Sequence, residues 1–281
     1  MPRVSILMLT YNRPQLIGRA IASACEQSFT DWELIIVQDG ANPETLGLVS
    51  QWLDREPRIR YFTRERVGTI AEASNFGLEE SQSEYVAILD DDDSWIDRDK
   101  LARQVEFLDA NPEYVGCGGG MRMVDPDGHE HGCYLKPQSD HEIRSRALVA
   151  NPMANSTTMF RRVVKGKRVI YDIGLRQFAD WDFWLTMGNR GRLYNFPICM
   201  AQYTLWGGGS SFQAQRQNGR AALAIVRKHR GQYRGYRAAL LLAVAYMAYA
   251  SLPEGFRRVT YSALSSTKKA LAGGKQAEAS A

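Results

Sequence analysis

The chain has 281 residues, of which 44% are hydrophobic and 23% charged. This composition excludes a disordered or fibrous protein and allows one large domain or two small ones. The net charge of +4 hides an asymmetry. Residues 212–281 contain 12 basic and 2 acidic side chains (+10), which leaves 23 basic and 29 acidic ones (−6) in residues 1–211. A basic end on an acidic body indicates that this end contacts something anionic.

The cysteines give no sign of a metal or disulfide framework. Cys25, Cys117, Cys133 and Cys199 form no Cys-x-x-Cys pair. The chain begins with an apolar strand pattern and shows no cleavage site of a signal peptide. We therefore expect free thiols and a cytoplasmic location.

Apolar runs alternate with amphipathic segments through the first third of the chain. The runs at 4–9, 32–40, 59–65 and 85–93 predict strands, and apolar residues recur at helical spacing between them. This alternation predicts right-handed βαβ units, hence an α/β protein with a mainly parallel, twisted sheet flanked by helices. A Gly-x-Gly-x-x-Gly segment and a P-loop are both absent from the sequence, which argues against a dinucleotide-binding domain and a Walker ATPase.

The next part of the chain is less regular. We expect a helix at 98–112, a glycine-rich strand at 113–124, and a loop that enters a strand at 151–162. A further helix is expected at 178–191, followed by a strand region at 193–206. These elements would extend the sheet begun by the first third.

The C-terminal region predicts helices at 220–233, 235–253 and 256–271, then a frayed end at 272–281. Residues 238–252 carry no charge, but 15 residues are too few to span a bilayer. Arginines flank this run on both sides, as in helices that lie in a membrane interface. Packing of the same helix on the body of the protein is an equally good interpretation.

Polar residues follow three predicted strands where each strand ends, at 10–13, 38–42 and 90–93. Ligands of parallel sheets bind beyond the carboxyl ends of the strands, so we expect these segments to converge. The segment at 90–93 is four consecutive aspartates. Adjacent carboxylates suit Mg²⁺ or Mn²⁺, which also retains substrate phosphates. The alternative is a solvated acidic turn or a helix cap.

The mutual repulsion of the four aspartates requires a positive partner, which we expect to be a cation that arrives with a nucleotide ligand rather than a side chain. Asp91 and Asp93 could instead brace the turn or cap the next helix.

Asp180 and Asp182 are two residues apart and cannot share a helix face. We expect one of them to enter the cleft as a general base, and the other to cap the helix or face outward.

These motifs, in this order and at this spacing, resemble the family 2 inverting glycosyltransferases, which have the GT-A fold. The segment 3–41 is similar to the family's opening, in which a strand leads to Thr-Tyr-Asn-Arg. The strand YVAILDDDDSW resembles the family's Asp-x-Asp strand, and FADWDFWLTMGNRGRLYNFP resembles the helix that carries the base. The resemblance covers about residues 3–210.

The resemblance implies an enzyme that moves a sugar from a nucleotide-sugar, with a UDP-sugar favoured, to a hydroxyl group with inversion. Asp39 would hold the base of the nucleotide, and Asp180 would be the general base. Asp92, with Asp90, would bind Mn²⁺ or Mg²⁺. The other residues expected to line the donor are Thr10, Tyr11, Arg13, Asn75 and Asp91.

Four positions depart from the family pattern. Gln38 replaces an aspartate of the donor motif, and Ser74 stands where many relatives have an arginine. Ala179 replaces the glutamate before the expected base, and Trp206 occupies a histidine position. These departures leave open a catalytically weak or inactive homologue that binds nucleotides or glycans.

The resemblance also predicts the domain organisation. A GT-A domain would span 1–211, with a donor-binding half at 1–95 and a catalytic, acceptor-binding half at 96–211. Residues 212–281 would form a basic amphipathic helical region.

Similarity to small bacterial enzymes of surface-polysaccharide assembly implies a glycan or lipid-linked saccharide acceptor. It also implies a cytoplasmic, peripheral position on the inner face of the membrane, where residues 212–270 would contact anionic lipid. No aromatic base-stacking module accompanies the basic charge, so nucleic acid is not an expected partner.

Overall fold

The computed structural model describes residues 1–205, 215–253, 257, 260 and 275–277. The helices are α1 (Pro14–Cys25), α2 (Pro43–Leu53), α3 (Ile70–Glu80), α4 (Lys100–Ala110), α5 (Asp140–Arg146), α6 (Ala179–Gly188), α7 (Gln215–Lys228) and α8 (Tyr236–Tyr249). The strands are β1 (Val4–Thr10), β2 (Trp32–Asp39), β3 (Ile59–Arg64), β4 (Tyr85–Ile88), β5 (Ser94–Trp95), β6 (Tyr114–Val124), β7 (Glu130–Leu135), β8 (Met159–Arg161), β9 (Val163–Val164), β10 (Lys167–Arg168), β11 (Arg192–Thr204) and β12 (Lys275–Ala277).

Strands β3, β2, β1 and β4 lie side by side in that order and are parallel, as the alternating sequence predicts. Strand β8 then pairs antiparallel with β4 and β6. The second half adds β7 antiparallel to β6, and β11 parallel to β6. The predicted α/β class is therefore confirmed, with a parallel, Rossmann-like first half continued by a mixed second half.

Two hydrophobic layers cover the faces of the sheet. On one face, α1 and α4 pack on the strands through buried side chains such as Ile17, Ile21 and Leu101. On the other face, α3 and α6 pack through side chains that include Phe183 and Trp184. Burial of each large apolar side chain contributes about 1.5–3 kcal/mol, so these layers hold the strand ends in place.

The C-terminal helices form a third cluster against α6. Leu185 of α6 packs with Ile225 of α7, and α8 joins the cluster through Ala239 and Ala243. The helix at 235–253 thus packs on the body, as one of the two interpretations predicts. Its other face remains exposed: Leu241 is 71% accessible. Within the described residues, no helix has the length and apolar content needed to cross a membrane. The expected helix at 256–271 lies outside the described residues except for 257 and 260.

Two structural expectations that we drew from the sequence are wrong. Cys133 and Cys199 form a disulfide between β7 and β11, and only Cys25 and Cys117 are free. The bonded pair is separated by 66 residues, so local cysteine spacing could not reveal it. The prediction of a frayed end is also wrong for residues 275–277, which form β12 and pair antiparallel with β7. An open strand edge presents unpaired backbone groups that such a segment can satisfy.

Sequence reasoning missed two short elements. Helix α5 begins with a capping box between Ser139 and Glu142, a local signal that was available in the sequence. The hairpin of β9 and β10 has only two residues in each strand, which is too short for a hydrophobic pattern to show.

Candidate functional site

The ends of β1, β2 and β4 meet at one edge of the sheet. The parallel register places Thr10 of β1 beside Gln38 of β2, and Ile88 of β4 beside Leu7 of β1. The segments that follow these strands therefore converge, as predicted from the sequence. A single 3₁₀ turn, Asn155–Thr157, comes before β8 and supplies side chains to the same edge.

The aspartate segment is a tight turn braced by this 3₁₀ turn. The backbone N–H of Asp93 donates to the carbonyl of Asp90 at 3.1 Å. The Asn155 amide donates to both carboxylate oxygens of Asp90, at 3.0 and 3.2 Å. Ser156 Oγ accepts from the backbone N–H of Asp90 and donates to the carboxylate of Asp93. Asp93 thus braces the turn, as one interpretation of the sequence predicts.

The expectation that no side chain neutralises these carboxylates is wrong. Arg13 places one guanidinium nitrogen 2.6 Å from Asp91 and another 2.5 Å from Asp92. Arg19 of α1 donates to the backbone carbonyl of Asp92 at 2.8 Å. Arg13 lies between β1 and α1, and the pairing of β1 with β4 brings it to the aspartates across 79 residues of chain.

Ionisation of two carboxyl groups in this turn is still unfavourable. Burial, together with the charges of Asp92 and Asp180, raises the pKa of Asp90 to about 6, although the hydrogen bond from Asn155 opposes the shift. Burial also raises the pKa of Asp91 to about 7, although Arg13 opposes the shift. Buried carboxyl groups that resist ionisation are stabilised in their charged form by a nearby cation. The residues present therefore fit a divalent metal.

No complete metal site preforms at this turn. Among the described residues, the one group of three ligand-type side chains within mutual reach is Asp125, Asp127 and His129, in the exposed connection between β6 and β7. Two carboxylates alone do not complete a magnesium or manganese shell, and phosphate oxygens of a ligand commonly supply the remainder. The aspartate turn has the form expected of a site that assembles with its ligand.

Asp180 lies in the first turn of α6 and enters the same cleft. Asn151 donates to its Oδ2 at 2.7 Å. Burial raises the pKa of Asp180, and its hydrogen bonds to backbone N–H groups and Asn151 oppose this shift. The charge of Asp180 also acts on Asp90, and the two carboxylates accept from Asn151 and Asn155 of one segment, so the start of α6 and the end of β4 lie near each other.

Asp182 neither caps the helix nor faces outward, so that expectation is wrong. Its side chain is 2% accessible, and its oxygens lie 2.7 Å from Lys228 Nζ and 2.9 Å from His229 Nε2. Lys228 also reaches Asp172 at 2.6 Å, in the segment that leads into α6. Helix α7 therefore holds α6 and its preceding loop through a charged contact, next to Asp180. The partners lie more than 40 residues away, so no local pattern predicts this contact.

The donor-side residues form a second wall at the ends of β1 and β2. Tyr11 is 41% accessible, and the guanidinium of Arg66 lies 4.1 Å from its ring centre. Thr10 is buried. Asp39 accepts from the backbone N–H groups of Val67 and Gly68 at 2.8 and 3.0 Å, so it orders the loop after β3. Sequence reasoning missed Arg66, although it follows the end of β3 and the same strand-end argument applies to it.

Asn75 makes two hydrogen bonds to one backbone position. Its amide donates to the carbonyl of Tyr171 at 2.9 Å, and its oxygen accepts from the Tyr171 N–H at 2.7 Å. The ring of Tyr171 stacks on Phe183 of α6, with centroids 4.2 Å apart. Asn75 therefore anchors the segment that leads to Asp180, and its expected contact with the donor stays a prediction.

The described residues that depart from the family pattern are all buried. Gln38 Nε2 donates to the carbonyl of Gly40 at 2.8 Å, so its amide braces the turn after β2. Ser74 lies within α3 and Ala179 begins α6. Trp206 lies outside the described residues.

Comparison with known sequences gives a family and several relatives. The profile of "Glycosyl transferase family 2" matches residues 5–166. The putative teichuronic acid biosynthesis glycosyltransferase TuaG of Bacillus subtilis is 31% identical over 73% of this chain and 79% of its own length. An uncharacterized glycosyltransferase of Haemophilus influenzae is 34% identical over 46% of this chain, but that match spans only 51% of the relative's length.

Solved structures share the fold at low identity. A Pyrobaculum calidifontis mannosyltransferase, PcManGT, in complex with GDP-Man and Mn²⁺ superposes with a TM-score of 0.66 at 18% identity, over 96% of this chain and 85% of that one. S. aureus TarS 1–349 in complex with UDP-GlcNAc gives a TM-score of 0.64 at 17% identity, over 96% of this chain and 79% of that one. These similarities confirm the GT-A fold predicted from the motifs.

The raised pKa of Asp90 predicts how stability responds to pH. Its pKa of about 6 lies above that of an unfolded aspartate, so its contribution to stability is complete below about pH 4 and is lost as the pH rises through 6. Between pH 5 and pH 8, we expect the free energy of unfolding of wild type to fall by about 1 kcal/mol more than that of Asp90→Asn. Urea unfolding in the presence of EDTA measures this difference. Asp127→Asn, on the exposed β6–β7 turn, is the control, and equal pH responses of Asp90→Asn and wild type would contradict the burial effect.

Proposed function

Since this chain belongs to glycosyltransferase family 2, we propose that it transfers a sugar from a UDP-sugar to a hydroxyl of a glycan or lipid-linked acceptor during synthesis of bacterial cell-surface polysaccharide. The observation that carries this proposal is the cleft in which the buried aspartate turn after β4 faces Asp180 of α6. The teichuronic acid biosynthesis in the name of TuaG supports the polysaccharide context, and the UDP-GlcNAc in the TarS complex supports the class of donor.

In this proposal, the donor lies across the ends of β1, β2 and β4. The exposed ring of Tyr11 offers a stacking surface for the base, and Asp39 retains lone pairs for a donor group of the nucleotide. Thr10, Asn75 and Asp91 would complete the donor wall. Arg13 would bind the diphosphate, because a guanidinium presents paired N–H donors that match phosphate oxygens.

Asp92 and Asp90 would hold Mn²⁺ or Mg²⁺ with the diphosphate. A bound dication would offset the charge that develops on the departing nucleoside diphosphate. Asp92 is 20% accessible and stands at the rim of the turn, whereas Asp90 is oriented by Asn155. Arg13 screens Asp91 and Asp92 before the donor arrives, and it can exchange these carboxylates for phosphate.

Asp180 would remove the proton from the acceptor hydroxyl. Burial raises its pKa toward the range in which a carboxylate is an effective base. Asn151 and the backbone N–H groups orient the carboxylate of Asp180, and a remaining lone pair of this carboxylate would accept the proton. Attack by the hydroxyl on the side of the sugar opposite the diphosphate would invert the anomeric carbon.

The metal role of Asp92 can be tested by calorimetry with UDP and Mn²⁺. We expect Asp92→Ala to weaken Mn²⁺-dependent UDP binding at least about tenfold, a loss of about 1.4 kcal/mol. Asp127→Ala removes an exposed carboxylate of the β6–β7 turn and should bind like wild type. Equal binding by wild type and Asp92→Ala would exclude the proposed metal ligand.

The role of Asp180 can be tested by turnover of nucleotide-sugars. We expect Asp180→Asn to lower kcat about 10²- to 10⁴-fold without weakening UDP binding, because the amide preserves shape but cannot accept the proton. Donor hydrolysis by wild type, screened over several nucleotide-sugars, is the reference activity. If wild type binds UDP but releases sugar from none of them, the chain is an inactive homologue and the catalytic proposal fails.

The exposed face of α8 would place the enzyme on the cytoplasmic surface of the cell membrane. Leu241, Leu242 and Val244 are accessible on this face, and Arg234 and Arg237 lie at its N-terminal end. An apolar face bordered by arginines matches an interface that contains anionic lipid. The net charge of +10 on residues 212–281 supports the same contact.

Sedimentation with liposomes tests this contact. The full chain should pellet with vesicles that contain anionic phosphatidylglycerol, and the double variant Leu241→Glu/Val244→Glu should remain in the supernatant. Leu46→Glu adds a charge at an exposed leucine of α2 and is the matched control. Pelleting of the double variant to the same extent as wild type would remove α8 from the proposal.

A further inference from the structure

A second pocket lies at the opposite edge of the sheet from the aspartates. Its volume is about 640 Å³, within the range of small-molecule sites. Strand β6 begins here after Glu113, β11 begins here at Arg192, and β8 ends here at Arg161. Because β8 runs antiparallel to β4, its end lies beside the beginning of β4, whereas Asp90 follows the other end of β4. The pocket is therefore separate from the proposed donor cleft.

The pocket has an excess of positive charge. Its two acidic side chains are already engaged: Asp140 pairs with Arg144 at 2.6 Å, and Glu113 lies 3.8 Å from Arg192. The cationic side chains of its lining number five: Arg144, Arg161, Lys165, Arg190 and Arg192. Residues 1–211 as a whole have a net charge of −6, so this cluster of positive charge differs from the rest of that region.

Arg190 has an unsatisfied group in this pocket. Its Nη1 is buried and has no hydrogen-bond partner among the described residues. A buried donor without an acceptor costs about 1–3 kcal/mol, and the cost is larger for a charged group. Because Arg190 lines the pocket, a small shift of its side chain toward an anionic oxygen there would satisfy this group.

Lys165 supplies a second, independent observation. It occupies the two-residue turn between β9 and β10 with a φ of 51°, followed by Gly166 with a φ of 73°. Such turns favour Asn or Gly, and the left-handed conformation costs other residues about 1–2 kcal/mol. Lys165 forms no ion pair with any described residue. The turn imposes this backbone conformation, and it leaves the charged side chain of Lys165 on the wall of the basic pocket, available to an anionic ligand.

The hairpin that carries Lys165 concentrates further charge. Residues 161–168 contain five cations and no acid. Burial lowers the pKa of Arg162, and the nearby charge of Arg168 adds to the shift. Between these cations, Val115, Val163 and Val164 give the pocket an apolar wall. The combination suits a ligand with an organic body and several negative charges.

We propose that this pocket binds a small organic ligand that carries a diphosphate or two phosphate groups. Arg190 and Lys165 contact its oxygens, and the valines contact its nonpolar part. Arginine nitrogens bind phosphate oxygens in pairs, and lysine adds a point charge. This site requires no metal, in contrast to the proposed donor cleft, and it does not depend on the proposed sugar transfer.

Calorimetry with inorganic pyrophosphate tests the site in the full chain. EDTA and constant ionic strength exclude metal-dependent binding in the cleft and general salt effects. We expect wild type and Arg13→Gln, which lacks the guanidinium proposed to bind phosphate in the cleft, to bind pyrophosphate equally, and Lys165→Gln/Arg190→Gln to bind it at least tenfold more weakly. The matched control is Lys167→Gln/Arg168→Gln, which removes the same charge from strand β10 outside the pocket lining and should bind within twofold of wild type.

Three outcomes would overturn the proposal. These outcomes are no pyrophosphate binding by wild type, equal loss of affinity in both double variants, and loss of binding in Arg13→Gln. The second outcome would indicate a diffuse electrostatic effect, and the third would assign the binding to the cleft. Thermal unfolding checks that the variants fold. If Arg190→Gln does not fold, Lys165→Gln alone must still weaken binding at least threefold.

Discussion

The repulsion among four consecutive carboxylates at the buried end of β4 is the constraint around which this cleft is arranged. Carboxylates at such a position are costly unless charges and hydrogen bonds compensate them. Arg13 pairs with two of them, and the Asn155–Thr157 turn supplies donors to the others. The compensation is incomplete, because burial still raises the pKa of Asp90 and of Asp91. This remaining cost of ionisation favours a ligand that brings a cation.

The braces of the cleft come from the second half of the chain. The turn before β8 holds the aspartates, Asn151 holds Asp180, and α7 holds α6 through Asp182. The C-terminal helices are thus connected to the residue proposed as the base, two positions away from it. Removing the lysine or the histidine that pairs with a buried carboxylate lowers the stability of a protein strongly, so this contact fixes the position of α6.

The two edges of the sheet carry opposite charge. The edge where β4 ends gathers carboxylates, and the edge where β8 ends gathers arginines and lysines. Helix α6 extends between these regions, with Asp180 in its first turn and Arg190 just after its end, about 15 Å away at the rise of an α-helix. The two edges of one sheet therefore favour different ligands. The carboxylate edge favours a diphosphate that brings a cation, and the basic edge favours an anion without a metal.

Local patterns in the sequence determined the alternation of strands and helices through β4, since hydrophobic period and strand-end polarity are properties of neighbouring residues. They also determined that the segments after β1, β2 and β4 meet, whereas the choice of Asp90, Asp92 and Asp180 as candidates came from the resemblance to the family. Only the tertiary structure decided the partners: Arg13 for the aspartates, Lys228 and His229 for Asp182, and Cys133 for Cys199. These partners are 46 to 79 residues apart, and which side chains meet over such distances depends on strand order and helix packing rather than on any local period.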